Sequence, residues 1–172
     1  MKKGGKILKE SENYLDSIVL GLNDGLIELT GALAGFTLAL QNSKIIAGAG
    51  LITGIAASLS MACSEYLSKK AENRQIKIKN NIPFTAAAYT GIAYLLVVLL
   101  LIFPFFILTH VFSALTFSIV NAIIIILIFT YKTSKKKEFK IRFFEMVILS
   151  LGVALISFGI GYLVRNFIGI EI

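Results

Sequence analysis

Apolar residues in this chain gather into long blocks separated by short polar links, and not at amphipathic spacing. The blocks cover about 15–40, 45–67, 84–108, 112–131 and 143–168. Each is close to the roughly 20 residues that cross a bilayer as a helix. The links are QNSK at 41–44, SKKAENRQIKIKNNIP at 68–83, a short turn at 109–111 and KTSKKKEFKIR at 132–142. The pattern predicts an all-α polytopic membrane protein with five transmembrane helices. No composition shift divides the chain, so residues 1–172 are expected to form a single transmembrane domain. Pro104, near the end of the third block, predicts a helix stop or kink there.

The blocks differ in kind. The third and fourth are bulky (LLVVLLLIFPFFIL, IIIILIF) and suit a lipid-facing position. The first two are rich in Gly, Ala and Ser, which let helix backbones approach closely. Gly21, Asp24, Glu28, Gly31 and Gly35 fall at steps of three or four, with Gly25 beside them. Gly50, Gly54, Ser58, Met61 and Glu65 do the same on the second block. Both stripes are expected to serve helix packing and a dimer interface. Gly152, Gly159 and Gly161 on the fifth block are expected to buttress the same core.

Composition agrees with the pattern: 56% of residues are hydrophobic, mean hydropathy is +0.82, and 16% are charged. A soluble domain carries about 25% charged residues. The net charge of +7 would fit a nucleic-acid binder only if the basic residues formed a surface of their own. Instead they occupy the gaps. Fifteen of the 17 precede the first block, follow the second or separate the fourth from the fifth, leaving Lys44 and Arg165 on the other side. By the positive-inside rule the N-terminus is cytoplasmic and the C-terminus outside or lumenal, which requires an odd number of spans. MKKGGKILKE opens like a signal peptide, but the apolar block after it is too long and carries acids, so it reads as a retained helix.

Two of those acids, Asp24 and Glu28, lie one turn apart inside the first block. A carboxylate at bilayer depth costs roughly 2.5–3.5 kcal/mol on insertion scales and marks an ion or proton path by default. A turn centred between Asn42 and Ser43 leaves Asp24 and Met61 equally distant from it, so an antiparallel pair sets them at one depth. Glu65 then lies a turn nearer the cytoplasm and Glu28 a turn deeper. A carboxylate–thioether set suits Fe(II), then Mn(II) or Co(II), over Mg(II) and Ca(II). Protons compete with metal for carboxylates in a low-dielectric site, a basis for metal–proton exchange.

Each residue has a plainer reading. Met61 alone reads as a packing methionine, and Glu65, beside Tyr66, as a solvated interfacial acid. Asn23–Asp24–Gly25 reads as a turn, although broken helices at depth line cavities. Asn121 and Glu145 read as structural and interfacial, and His110 as solvated. With one cysteine, Cys63, and one histidine, the chain offers no disulfide, no Cys-rich or His-pair metal site and little for a nucleophile–base pair. It is not expected to be an enzyme or to hold a permanent cofactor.

NDGLIELTGALAGFTLAL (23–40) and AGAGLITGIAASLSMACSEYLS (47–68) resemble the vacuolar iron transporter family. The resemblance is specific over the first two blocks and topological afterwards. It implies a homodimer, a metal path on the two-fold axis between first and second helices, and an aspartate and a methionine as ligands, which fall on Asp24 and Met61. It also implies movement of iron out of the cytosol in exchange for protons. Plant and parasite members insert an acidic metal-gathering domain between the second and third helices. Here that link has Glu72 as its sole acid among five basic residues, as in shorter relatives.

The expected function is therefore export of Fe(II), and of Mn(II), by proton antiport for iron homeostasis. The metal is cargo, with Asp24, Met61, Glu28 and Glu65 as its ligands. The alternative is a non-transporting membrane partner or assembly subunit whose glycine stripes serve packing alone. A second copy would double the ligands around a thin conduit. The short loops suit a prokaryotic cell membrane, or a vacuole-type membrane in a eukaryote.

Overall fold

The computed structural model describes the backbone of residues 2–76 and 82–168, and the side chains of 14–74 and 83–167. Five helices follow in order: α1 (Lys2–Leu40), α2 (Ser43–Ile76), α3 (Ile82–Ile107), α4 (Val111–Thr133) and α5 (Phe139–Ile168). All five are long and apolar enough to span a membrane, and no strand occurs among the described residues. The chain is an integral membrane protein.

Helix ends depart from the apolar blocks. α1 begins at Lys2 and α2 continues to Ile76, so the first half of the expected 68–83 link is helical. Lys, Glu, Gln and Arg are good helix formers, and after Leu67 no glycine or proline interrupts the chain before Pro83. Apolar length measures the membrane-embedded part of a helix, and the helix itself runs on into water. α3 passes Pro104 and ends at Ile107, one turn later.

The α1–α2 turn needs only two residues. Gln41 adopts a positive φ of 49° and reverses the chain, at a cost of about 1 kcal/mol for a residue with a Cβ. Asn42 then caps α2, its Oδ1 accepting the backbone N–H of Lys44 at 3.0 Å and of Ile45 at 3.2 Å. Ser43 Oγ donates to the Thr109 carbonyl at 3.1 Å, tying this turn to the α3–α4 turn. Both turns therefore lie on one side, as alternating spans require.

The core is built on α3, which corrects its expected lipid-facing position. Tyr94, Val97, Val98, Leu101, Ile102 and Phe105 are buried against Leu26, Leu29 and Leu33 of α1. Only the opposite face of α3 (Ile92, Leu96, Leu99, Phe103) is exposed. α1 packs mainly on α5 and α3, α2 packs mainly on α3, and the direct α1–α2 contact is smaller. Bulky apolar composition does not separate core from lipid contact, because both environments are equally apolar.

Close approach is local. A Cβ on Gly21 would strike the Thr90 carbonyl oxygen of α3, and one on Gly161 would strike the Gly35 carbonyl oxygen of α1. Gly25 and Gly54 also face α3, through Val97 and Val98, Gly50 meets Leu33 of α1 and Ile102 of α3, and Gly31 faces Val153 of α5. The α1 stripe is thus used within the chain. Gly152 and Gly159 meet nothing within 4 Å, so of the α5 glycines only Gly161 supports the core. Hydroxyls add tethers: Thr90 Oγ1 donates to the Ser17 carbonyl (3.0 Å), Ser118 Oγ to Leu101 (2.8 Å) and Ser150 Oγ to Leu26 (3.3 Å). Such bonds between membrane helices average about 0.6 kcal/mol each.

Candidate functional site

α1 carries Asp24 and Glu28 on neighbouring turns of an unbroken helix, so the Asn23–Asp24–Gly25 turn reading is corrected. Gly21 and Gly25 sit against α3, and this contact fixes how the acid-bearing turns of α1 are presented. Asp24 is half-buried and Glu28 is exposed. At i and i+4 on one helix the two carboxyl groups are neighbours, and two carboxylates so placed repel each other. A cation held beside them would relieve the repulsion of two carboxylates.

Glu28 is held from a second helix. Tyr94 Oη of α3 donates to Glu28 Oε2 at 2.8 Å, while the Tyr94 ring is only 1% exposed. A fully buried ring with one polar tip is a stiff arm, and it fixes one carboxylate oxygen while leaving the other available. Tyr94 was not foreseen. Its signal is a polar tip within an otherwise apolar run, one turn after Thr90 on the same face of α3.

Glu65 departs from expectation. It is buried, at 8% exposure, and accepts Ser17 Oγ of α1 at 2.8 Å. The Ser17 carbonyl accepts Thr90 Oγ1, so α1, α2 and α3 are pinned together at this level. The reading of Glu65 as a solvated interfacial acid is therefore corrected: interfacial sequence position does not expose a carboxylate that faces a neighbouring helix. Met61 is partly buried and packs against the apolar core.

The fold thus joins Asp24 with Glu28, Glu28 with Tyr94, and Glu65 with Ser17. It does not gather the acids into one cluster. Among the described residues no three His, Cys, Asp or Glu side chains stand close enough to share a metal ion. Asn121 Nδ2 reaches the Leu100 carbonyl at 3.4 Å as a tether between α4 and α3. His110 is exposed at the start of α4, and Glu145 is exposed on α5.

Asp24 on α1 and Met61 on α2 are the positions at which the resemblance implies metal ligands. Residues 15–82 match the model of the VIT family. The match covers the spanning part of α1, all of α2 and the link to α3, and so includes both stretches that resemble vacuolar iron transporters. Comparison with curated proteins returns no match. The VIT family match points to metal-ion transport across a membrane.

Proposed function

We propose that this protein exports Fe(II), and Mn(II) with it, from the cytosol in exchange for protons. The observation that carries this reading is the Asp24–Glu28 pair on one span, with Glu28 oriented by the buried Tyr94 hydroxyl. Intramembrane carboxylates are costly, and a pair in electrostatic contact is costlier still unless a cation or protons answer the charge. In this reading Asp24 and Met61 bind the metal, Glu28 is the second acid and accepts protons, and Glu65 forms the cytosolic mouth. The basic residues beside the N-terminus, after α2 and before α5 set the cytosolic side.

A homodimer belongs to the proposal. One chain offers two acids at this depth and leaves Glu28 exposed, so a two-fold mate would supply the remaining ligands. A non-transporting subunit is the second reading. It draws support from the glycines of α1, which have packing partners within the chain without any conduit. Such a subunit would keep its function in Asp24→Asn and Glu28→Gln variants.

The test is reconstitution into liposomes loaded with an Fe(II)-sensitive dye, with and without a proton gradient. The proposal expects an Fe(II)-dependent signal that grows with the gradient. A signal equal to that of protein-free liposomes would overturn it.

A further inference from the structure

On the outer side of the α2–α3 contact lies an open apolar groove that plays no part in the acid site. Its volume is about 670 Å³, within the roughly 300–1,000 Å³ typical of small-ligand sites. Small residues (Ser58, Ala62, Ala88 and Gly91) line it, with Leu67 of α2 and Phe84 of α3 at the end next to the α2–α3 link. Ser58 Oγ is turned inward to the Ile55 carbonyl at 2.8 Å, which leaves the walls almost wholly apolar.

The groove has the length of one leaflet. At 1.5 Å per residue, Ser58 to Leu67 covers about 14 Å of α2 and Phe84 to Leu95 about 16 Å of α3. Half of a hydrocarbon core about 30 Å thick is about 15 Å.

The end at Leu67 is basic. Leu67 is followed by Ser68, Lys69 and Lys70, and Arg74 lies one turn further along α2. Lys70 Nζ stands 5.3 Å from the centre of the Tyr66 ring, itself part of the groove wall. Lys69 reaches Glu72 at 3.1 Å, and Glu72 is the sole acid in 68–83. A wall of one-leaflet length ending in ammonium groups is complementary to an acyl chain joined to an anionic head group.

We infer that this groove binds an anionic glycerophospholipid from the leaflet on the side of the basic link. One acyl chain lies between α2 and α3, and Lys69 and Lys70 meet the phosphate. The bound lipid would brace α2, the helix that carries Met61 and Glu65, against α3.

The test is native mass spectrometry of the delipidated protein titrated with dioleoyl phosphatidylglycerol or dioleoyl phosphatidylcholine. Phosphatidylglycerol is expected to bind at least about tenfold more tightly. Neutralising Lys69 and Lys70 (Lys69→Gln, Lys70→Gln) is expected to remove that preference, about fivefold for each charge. Cys63→Trp places an indole in the groove from an exposed position and is expected to weaken both lipids. Equal binding of the two lipids, a preference untouched by the lysine changes, or lipid binding unaltered in Cys63→Trp would each overturn the inference. The same spectra report oligomeric state. Loss of a dimer in Cys63→Trp with lipid binding intact would assign the groove to a second copy and likewise overturn it. Should Cys63→Trp fail to fold, the lysine variants, altered only on the polar extension of α2, still decide the matter.

Discussion

Replacing Tyr94 by Phe removes a single hydroxyl and isolates the contact that orients Glu28. The ring stays, so the core around Val97, Val98 and Leu101 keeps its volume. What is lost is the 2.8 Å donation to Glu28 Oε2. Hydrogen bonds between membrane helices average about 0.6 kcal/mol and reach about 1.7, so the stability cost should stay below about 2 kcal/mol. The effect on metal is expected to be larger, since losing an outer partner of a ligating carboxylate typically costs 10–100-fold in affinity. A tenfold loss corresponds to about 1.4 kcal/mol. The assay is the Fe(II)-concentration dependence of uptake into proteoliposomes, paired with thermal unfolding of the same preparations. A rise in half-saturating Fe(II) of tenfold or more, with a nearly unchanged unfolding temperature, is the expected result. Unchanged half-saturation and maximal rate would refute the idea that Tyr94 positions a metal-handling acid.

Gly21→Ala places a methyl on the Thr90 carbonyl, and overpacking of this kind costs about 1–3 kcal/mol. Gly152→Ala, with open space around it, should be neutral or gain up to about 1 kcal/mol from helix propensity; equal thermal shifts for the two would contradict the assigned α1–α3 contact. Ser17→Ala leaves buried Glu65 without its donor and should cost about 1–3 kcal/mol, read by thermal unfolding, whereas Ser60→Ala on an exposed face of α2 should not.

The five spans were legible because runs of apolar residues near 20 long have few other uses. Less legible was which span is central. α3 and α4 are both bulky and apolar, yet α3 holds the core through Tyr94, Ile102 and Phe105 while much of α4 faces outward. In a membrane protein hydrophobicity does not rank burial, and only the partners of small residues reveal it. The glycines of α1 were readable as points of close approach, but their neighbours were not. Gly21 and Gly25 meet α3, and Gly31 and Gly35 meet α5.

Asp24 and Glu28 stood out because charge at bilayer depth is costly. Tyr94, Ser17 and Thr90 did not, because hydroxyl-bearing residues are ordinary in membrane helices and their partners lie far along the chain. The hairpin arithmetic treated α1 and α2 as nearest neighbours, whereas α1 packs mainly on α5 and α3, and α2 mainly on α3. A two-residue turn allows this, since it fixes how the helices reverse direction without pressing them together along their length.

The most direct measurement is the initial rate of Fe(II) uptake into proteoliposomes holding equal amounts of wild-type protein or the Asp24→Ala variant. The account predicts that the variant falls to the rate of protein-free vesicles while remaining folded and inserted. Equal rates would contradict it.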